Sequence, residues 1–173
     1  MTMCELTKQN NSSGCFVCGL ENPHSLKTKF YAIGKDILIA KFNSLDEHQS
    51  YPGVLHGGIA ATILDETIGR TILCEDSELW GVTVELTTKY RKPLPTGTTL
   101  YAKAKLIENG TRQFKGVGAI LLPDGKPAVT ASGRFMKLPI TQIAKGGDFL
   151  SEWFYVKDEI PVDIPEYVLT FEL

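Results

Sequence analysis

Residues 57–73 carry the only sustained helical pattern in the middle of the chain, and strand patterns lie on both sides of it. At about 100° per residue, Ala60, Ala61, Ile63, Leu64, Thr67, Ile68 and Ile72 fall on one broad face that needs an apolar partner. Upstream, residues 27–33 and 36–42 alternate apolar and polar side chains around Gly34-Lys35, a hairpin signal. Residues 44–55, with Ser50, Pro52 and Gly53, read as a loop. Downstream, residues 80–92 are rich in Val, Thr and Tyr, and residues 98–108 set Leu100, Ala102, Ala104 and Leu106 inward. Strands over 111–122 and 128–138 follow, with turns at 93–97, Asn109-Gly110 and Pro123-Asp124-Gly125. Short turns imply antiparallel neighbours, so the class is α+β: a curved antiparallel sheet wrapped around one long central helix. A helix buried on one side by a single sheet leaves a remainder that a second subunit can protect.

A chain of 173 residues fits one domain, with an N-terminal loop extension at 1–26, a core at 27–138 and a C-terminal extension at 139–173. Trp153, Phe154, Tyr155, Pro161 and Pro165 make that last segment aromatic enough to pack on the surface. Residues 1–14 are polar and lack the apolar region of a secretory signal, and read as a loose terminal extension; the expected compartment is the cytoplasm. No apolar run approaches the roughly 18 residues that span a bilayer, so no membrane partner is expected. The net charge is −2, with seven acids and two bases in 139–173 and therefore a net +3 before it. That mild excess suits a small polyanion such as a CoA nucleotide, not a nucleic acid. Cys4, Cys15, Cys18 and Cys74 read as reduced thiols. Cys15-x2-Cys18 with His24 nearby suggests zinc, but a structural site takes four ligands and no second pair follows. No metal and no cofactor is expected.

A second line on the helix runs Gly58, Thr62, Asp65 and Gly69. It is small and polar, which lets a ligand or another backbone approach, and an Asp competes for backbone hydrogen bonds inside a helix. Asp65 is therefore the functional candidate. Glu66 points about 100° away and precedes Arg70 by four residues, the order of an exposed structural ion pair. At the helix start, Val54-Leu55-His56-Gly57-Gly58 offers unpaired N–H groups at the positive end of the helix dipole, suited to an oxyanion. Gly58 and Asp65 lie about 10 Å apart along the axis, too far to act together on one carbonyl. Two antiparallel helices across a two-fold axis would bring the glycines of one against the Asp of the other.

Cys15-Phe16-Val17-Cys18-Gly19 with Asn22-Pro23, His56-Gly57-Gly58 with Asp65, and Thr83-Val84-Glu85-Leu86 with Tyr90 and Pro93 together resemble the hotdog-fold thioesterases of the phenylacetate-degradation type, over roughly residues 15–138. The resemblance implies a hotdog fold, acyl-CoA as substrate, and hydrolysis of its thioester by a homodimer with shared sites, which can pair further into a tetramer. It implies that the Gly57 N–H donates to the thioester oxygen and that Asp65 of the facing subunit activates water or attacks directly. Thr83 falls where relatives place a hydroxyl that orients the water.

Where some relatives bind the thioester oxygen through an Asn, this chain has Ser50, preceded by His48 and Gln49, and Ser25 stands where the first loop often has Gly. His56 is expected to orient the helix start. In Lys89-Tyr90-Arg91-Lys92, Arg91 and Lys92 are candidates to meet CoA phosphates, or else edge charges that deter aggregation. Two rival functions stay open at this point. One is a hotdog enoyl-CoA hydratase or dehydratase using His48 or His56 with Asp65. The other is a non-catalytic acyl-CoA binding module.

Overall fold

The computed structural model describes residues 5–144, 148–158 and 162–173; Cys4 and Pro161 lie outside the described residues. The first strands are β1 (Leu6–Lys8) and β2 (Asn11–Ser12), followed by the hairpin of β3 (Lys29–Ile33) and β4 (Ile37–Ser44). Gly34 takes a φ of +60° at the hairpin turn, a conformation that favours glycine. Two short strands, β5 (Gln49–Tyr51) and β6 (Val54–Leu55), lead into α1 (Gly57–Gly69). The long strands β7 (Leu79–Tyr90), β8 (Thr98–Asn109), β9 (Gln113–Leu121) and β10 (Pro127–Pro139) come next. The C-terminal segment adds α2 (Ile140–Ile143), β11 (Trp153–Phe154) and α3 (Glu166–Thr170).

Seven strands form one sheet in the order β1-β3-β4-β8-β9-β10-β7, and each neighbouring pair is antiparallel. It curls around α1, the hotdog arrangement. Ile63, Leu64, Ile68 and Ile72 are fully buried against Phe30, Leu38, Leu100, Phe114, Ile120 and Phe135. Leu100, Ala102, Ala104 and Leu106 are all buried, as their alternation predicts. The helix comes so close to β9 that a Cβ on Gly116 would stand 2.6 Å from Ile68 Cγ2, so glycine there sets the helix–sheet spacing.

The opposite face of the sheet carries a second apolar cluster. Tyr31, Ile39, Tyr101, Ala119 and Leu121 pack against Ile164 and Val168 of the C-terminal segment. Buried Lys103 reaches from β8 to the end of α3 and donates to the carbonyls of Val168, Leu169 and Phe171 at 3.1, 2.8 and 2.8 Å. Helix C-termini leave such carbonyls unpaired, so a buried ammonium satisfies them and ties the tail down. Asp158 accepts from Lys8 at 2.9 Å, Lys29 at 2.8 Å and Tyr31 at 3.0 Å.

Three expectations need correction. The helix is α-helical only to Gly69 and tightens into a 3₁₀ turn over Arg70–Cys74. Residues 44–55 are not plain loop, because β5 and β6 pair there. Residues 5–14 are not loose either: β1 pairs with β3, and β2 pairs with β11. Both β1 and β2 are too short for periodicity to reveal them. No helix among the described residues is long and apolar enough to cross a membrane.

Candidate active site

The start of α1 is held by its own cap. His56 is the N-cap residue, and its Nδ1 accepts the N–H of Gly58 at 2.9 Å. The Gly58 amide is therefore engaged, contrary to the expectation that both glycine amides are unpaired. The N–H of Gly57 has no acceptor among the described residues. Gly57 is fixed instead through its carbonyl, which accepts the hydroxyl of Tyr90 at 2.9 Å. A Cβ at Gly57 would meet the Tyr90 ring at 3.3 Å, so the amide and the ring share a confined space.

Two turns along, Asp65 is half-buried, and its Oδ1 accepts the hydroxyl of Thr83 on β7 at 2.8 Å. Burial raises the Asp65 carboxyl above its usual range, the Thr83 hydrogen bond opposes that rise, and the nearby Glu66 charge adds to it. A carboxylate shifted this way is a stronger base near neutral pH. It sits in a recess of about 80 Å³ shared with Gly69, Trp80, Gly81 and Phe135.

Two larger clefts flank the other end of the helix. One, of about 720 Å³, is lined by Phe16, Lys27, His48, Gln49, His56 and Gly58 among others. The second, of about 320 Å³, brings Gly57 together with Tyr90, Arg91 and Lys92. His48 and Gln49 thus face the larger cleft and Arg91 and Lys92 the smaller, while Ser50 is exposed on β5 and lines neither. No residue of the Asp65 recess lines either cleft. Within one chain, then, the helix start and Asp65 open onto separate spaces.

Glu66 and Arg70 form the expected pair, with Arg70 Nε 2.7 Å from Glu66 Oε1, but the pair is not an exposed one. Arg70 is buried, its guanidinium lies over the rings of Phe30 and Trp153, and Nη2 donates to Cys18 Sγ at 2.9 Å. Helical spacing reveals the pairing but not the 3₁₀ turn and tail that cover it. Also missed from sequence were the cleft-lining residues Phe16, His24 and Lys27 of the first loop. Lys27 has a φ of 51°, and its Nζ binds the carbonyls of Gly19, Leu20 and Asn22, which folds that loop against the cleft. Tyr90 stood in a recognised motif without a role, and its bond to Gly57 depends on the contact between β7 and the helix start.

The thioesterase-superfamily profile matches residues 52–127, the span from the turn between β5 and β6 to the first residue of β10. Human acyl-coenzyme A thioesterase 13 is 30% identical over 101 residues, covering 58% of this chain and 71% of that protein. This chain belongs to the thioesterase superfamily. A solved thioesterase superfamily protein shares 26% identity with it at a TM-score of 0.65, covering 70% of this chain and 62% of the other. The Escherichia coli PaaI protein from the phenylacetic acid degradation operon, 16% identical, has the same fold at a TM-score of 0.59 over 65% of this chain and 80% of its own. Helix and sheet of this superfamily member are thus shared widely, and the particular chemistry rests on the residues just described.

Proposed function

We propose that this chain hydrolyses acyl-CoA thioesters to free acid and CoA at two equivalent sites formed between the protomers of a homodimer. The observation that carries this reading is the separation of Asp65 from the unpaired Gly57 amide, two turns apart on one helix and opening onto different spaces. The edge strand supports it. β7 pairs only with β10 among the described residues, and along its twelve residues it exposes Val82, Val84 and Tyr90 among the polar Thr83, Glu85, Thr87 and Lys89. An open edge of that length leaves a row of backbone groups for another strand to pair with.

In this site the Gly57 N–H of one protomer donates to the thioester carbonyl oxygen and stabilises the oxyanion. Asp65 of the other, oriented by Thr83, takes a proton from water as water attacks, or itself attacks to form an anhydride. His48 and Gln49 face the larger cleft, Ser50 is exposed next to Gln49 on β5, and Arg91 and Lys92 meet the CoA phosphates beside Gly57. No metal or cofactor takes part. The free thiols of Cys15, Cys18 and Cys74 favour the cytoplasm, and a dimer of dimers is the larger assembly in keeping with this reading. No observation favours a hydratase: within the chain neither His48 nor His56 bonds to Asp65, whose carboxylate accepts from Thr83 instead. A binding module would have no use for a carboxylate placed and tuned like Asp65.

The test is complementation between two inactive variants. Gly57→Pro removes the amide at the first helical position, where the helix backbone accepts proline and the Tyr90 ring must give by a few tenths of an ångström, and Asp65→Asn removes the base. Mixed dimers of the two regain one intact site, so thiol release from acyl-CoA recovers on mixing. Absence of recovery in verified heterodimers places both groups in one chain and ends the shared-site reading.

A further inference from the structure

The Cys15-x2-Cys18 turn takes no part in the hydrolysis proposed above. Its carbonyl at Cys15 accepts the N–H of Gly19 at 2.8 Å, and the N–H of Val17 points at Cys15 Sγ at 3.3 Å. A Cβ at Gly19 would lie 2.2 Å from the Cys15 carbonyl oxygen, so glycine is what closes this turn. The two sulfurs and a Glu66 carboxylate oxygen lie within 4.8 Å of one another. Cys18 is fully buried behind the turn with Arg70 Nη2 on its sulfur, whereas Cys15 is only half-buried. The hydrogen bond from Cys18 holds the Cys15 thiol down to about 6, against the opposing effect of burial. That same bond, with burial, pushes Cys18 up. At neutral pH this makes Cys15 a reachable thiolate and Cys18 a protonated neighbour in reserve. Zinc fits less well: the three donors found among the described residues fall short of four, and the Arg70 guanidinium on Cys18 opposes a cation.

We propose that Cys15 and Cys18 form a reversible disulfide, Cys15 as the attacking and Cys18 as the resolving thiol, in exchange with low-molecular-weight disulfides such as oxidised glutathione. The Cys15 thiolate attacks one sulfur of the small disulfide, making a mixed disulfide and releasing one thiolate. Cys18 then loses its proton to solvent and attacks the Cys15 sulfur, closing the Cys15–Cys18 bond and releasing the second thiolate. Two protein thiols are oxidised, and one small disulfide is reduced to two thiols. Phe16 stands between the cysteines in sequence and lines the larger cleft beside His56 and Gly58.

Trypsin cuts after Lys8 and Lys27, which places both cysteines and no other on the peptide 9–27. The full-length protein is equilibrated in glutathione buffers of graded potential, quenched with iodoacetamide, digested and weighed. The expected result is a cooperative passage of this peptide from doubly alkylated to unalkylated with the loss of two hydrogens, reversed by dithiothreitol. Cys18→Ser should halt at glutathione bound to Cys15, and Cys15→Ser should leave Cys18 unmodified. A peptide that stays doubly alkylated in fully oxidised glutathione overturns the proposal. So does stoichiometric zinc that shields both thiols, or glutathione attaching first to Cys18.

Discussion

The hydroxyl of Thr83, on the edge strand, donates to Oδ1 of Asp65, on the central helix, across 2.8 Å. Edge strand and helix thereby fix the carboxylate together, and anything that shifts β7 shifts Asp65 with it.

Asp65→Asn keeps the shape of the side chain and removes its basicity. Turnover should fall by about 10²–10⁴-fold with acyl-CoA affinity nearly kept. Thiol-release kinetics with calorimetric binding reads both quantities, and unchanged turnover removes Asp65 from the chemistry.

Thr83→Ala tests the tuning of that base. In the proposed reaction Asp65 works deprotonated, so kcat/KM should fall as pH drops through its pKa, which burial holds above the ordinary value of about 4. The Thr83 bond acts in the lowering direction. Its loss should move the acid limb of the kcat/KM profile to higher pH; a limb that stays or moves down contradicts the assignment.

His56→Ala separates capping from chemistry. Loss of the bond to the Gly58 amide should cost about 1 kcal/mol, or roughly 2–4 °C in Tm for a chain of this size. Turnover should suffer far less than in Asp65→Asn. The reverse pattern, intact Tm with turnover abolished, would make His56 a proton donor and revive the hydratase.

Asp158 supplies an acid-sensitive tie. Burial alone would raise its pKa, but hydrogen bonds from Lys29, Lys8 and Tyr31 hold it down to about 2. A lowered carboxylate contributes stability that is complete above the unfolded value of about 4 and is lost as pH falls towards 2. Asp158→Asn should therefore lower Tm by a few degrees at pH 7 and converge with the wild type near pH 2. A constant difference in thermal melts across that range would mean the charge is not the cause.

Much of this architecture is legible in the chain because the long elements announce themselves. The apolar stripe from Ala60 to Ile72 and the alternation of Leu100, Ala102, Ala104 and Leu106 need only local periodicity to be read. The pair Glu66–Arg70 shows the limit: spacing gives the partner, but burial comes from Phe30 and Trp153, which are distant in sequence. Gly58 shows another, since whether its amide is spoken for depends on which way the His56 ring turns. Strands of two or three residues, such as β2 and β11, exist only because each finds the other.

The tail anchored by Lys103 occupies the back of the sheet over Tyr31, Ile39, Tyr101 and Leu121. Lamination of one molecule onto another through that region is therefore closed while the anchor holds, and association is steered to the rim. Cutting the anchor would exchange a self-lidded sheet for a sticky one: the immediate hazard of losing Lys103 is clumping, well before any loss of chemistry.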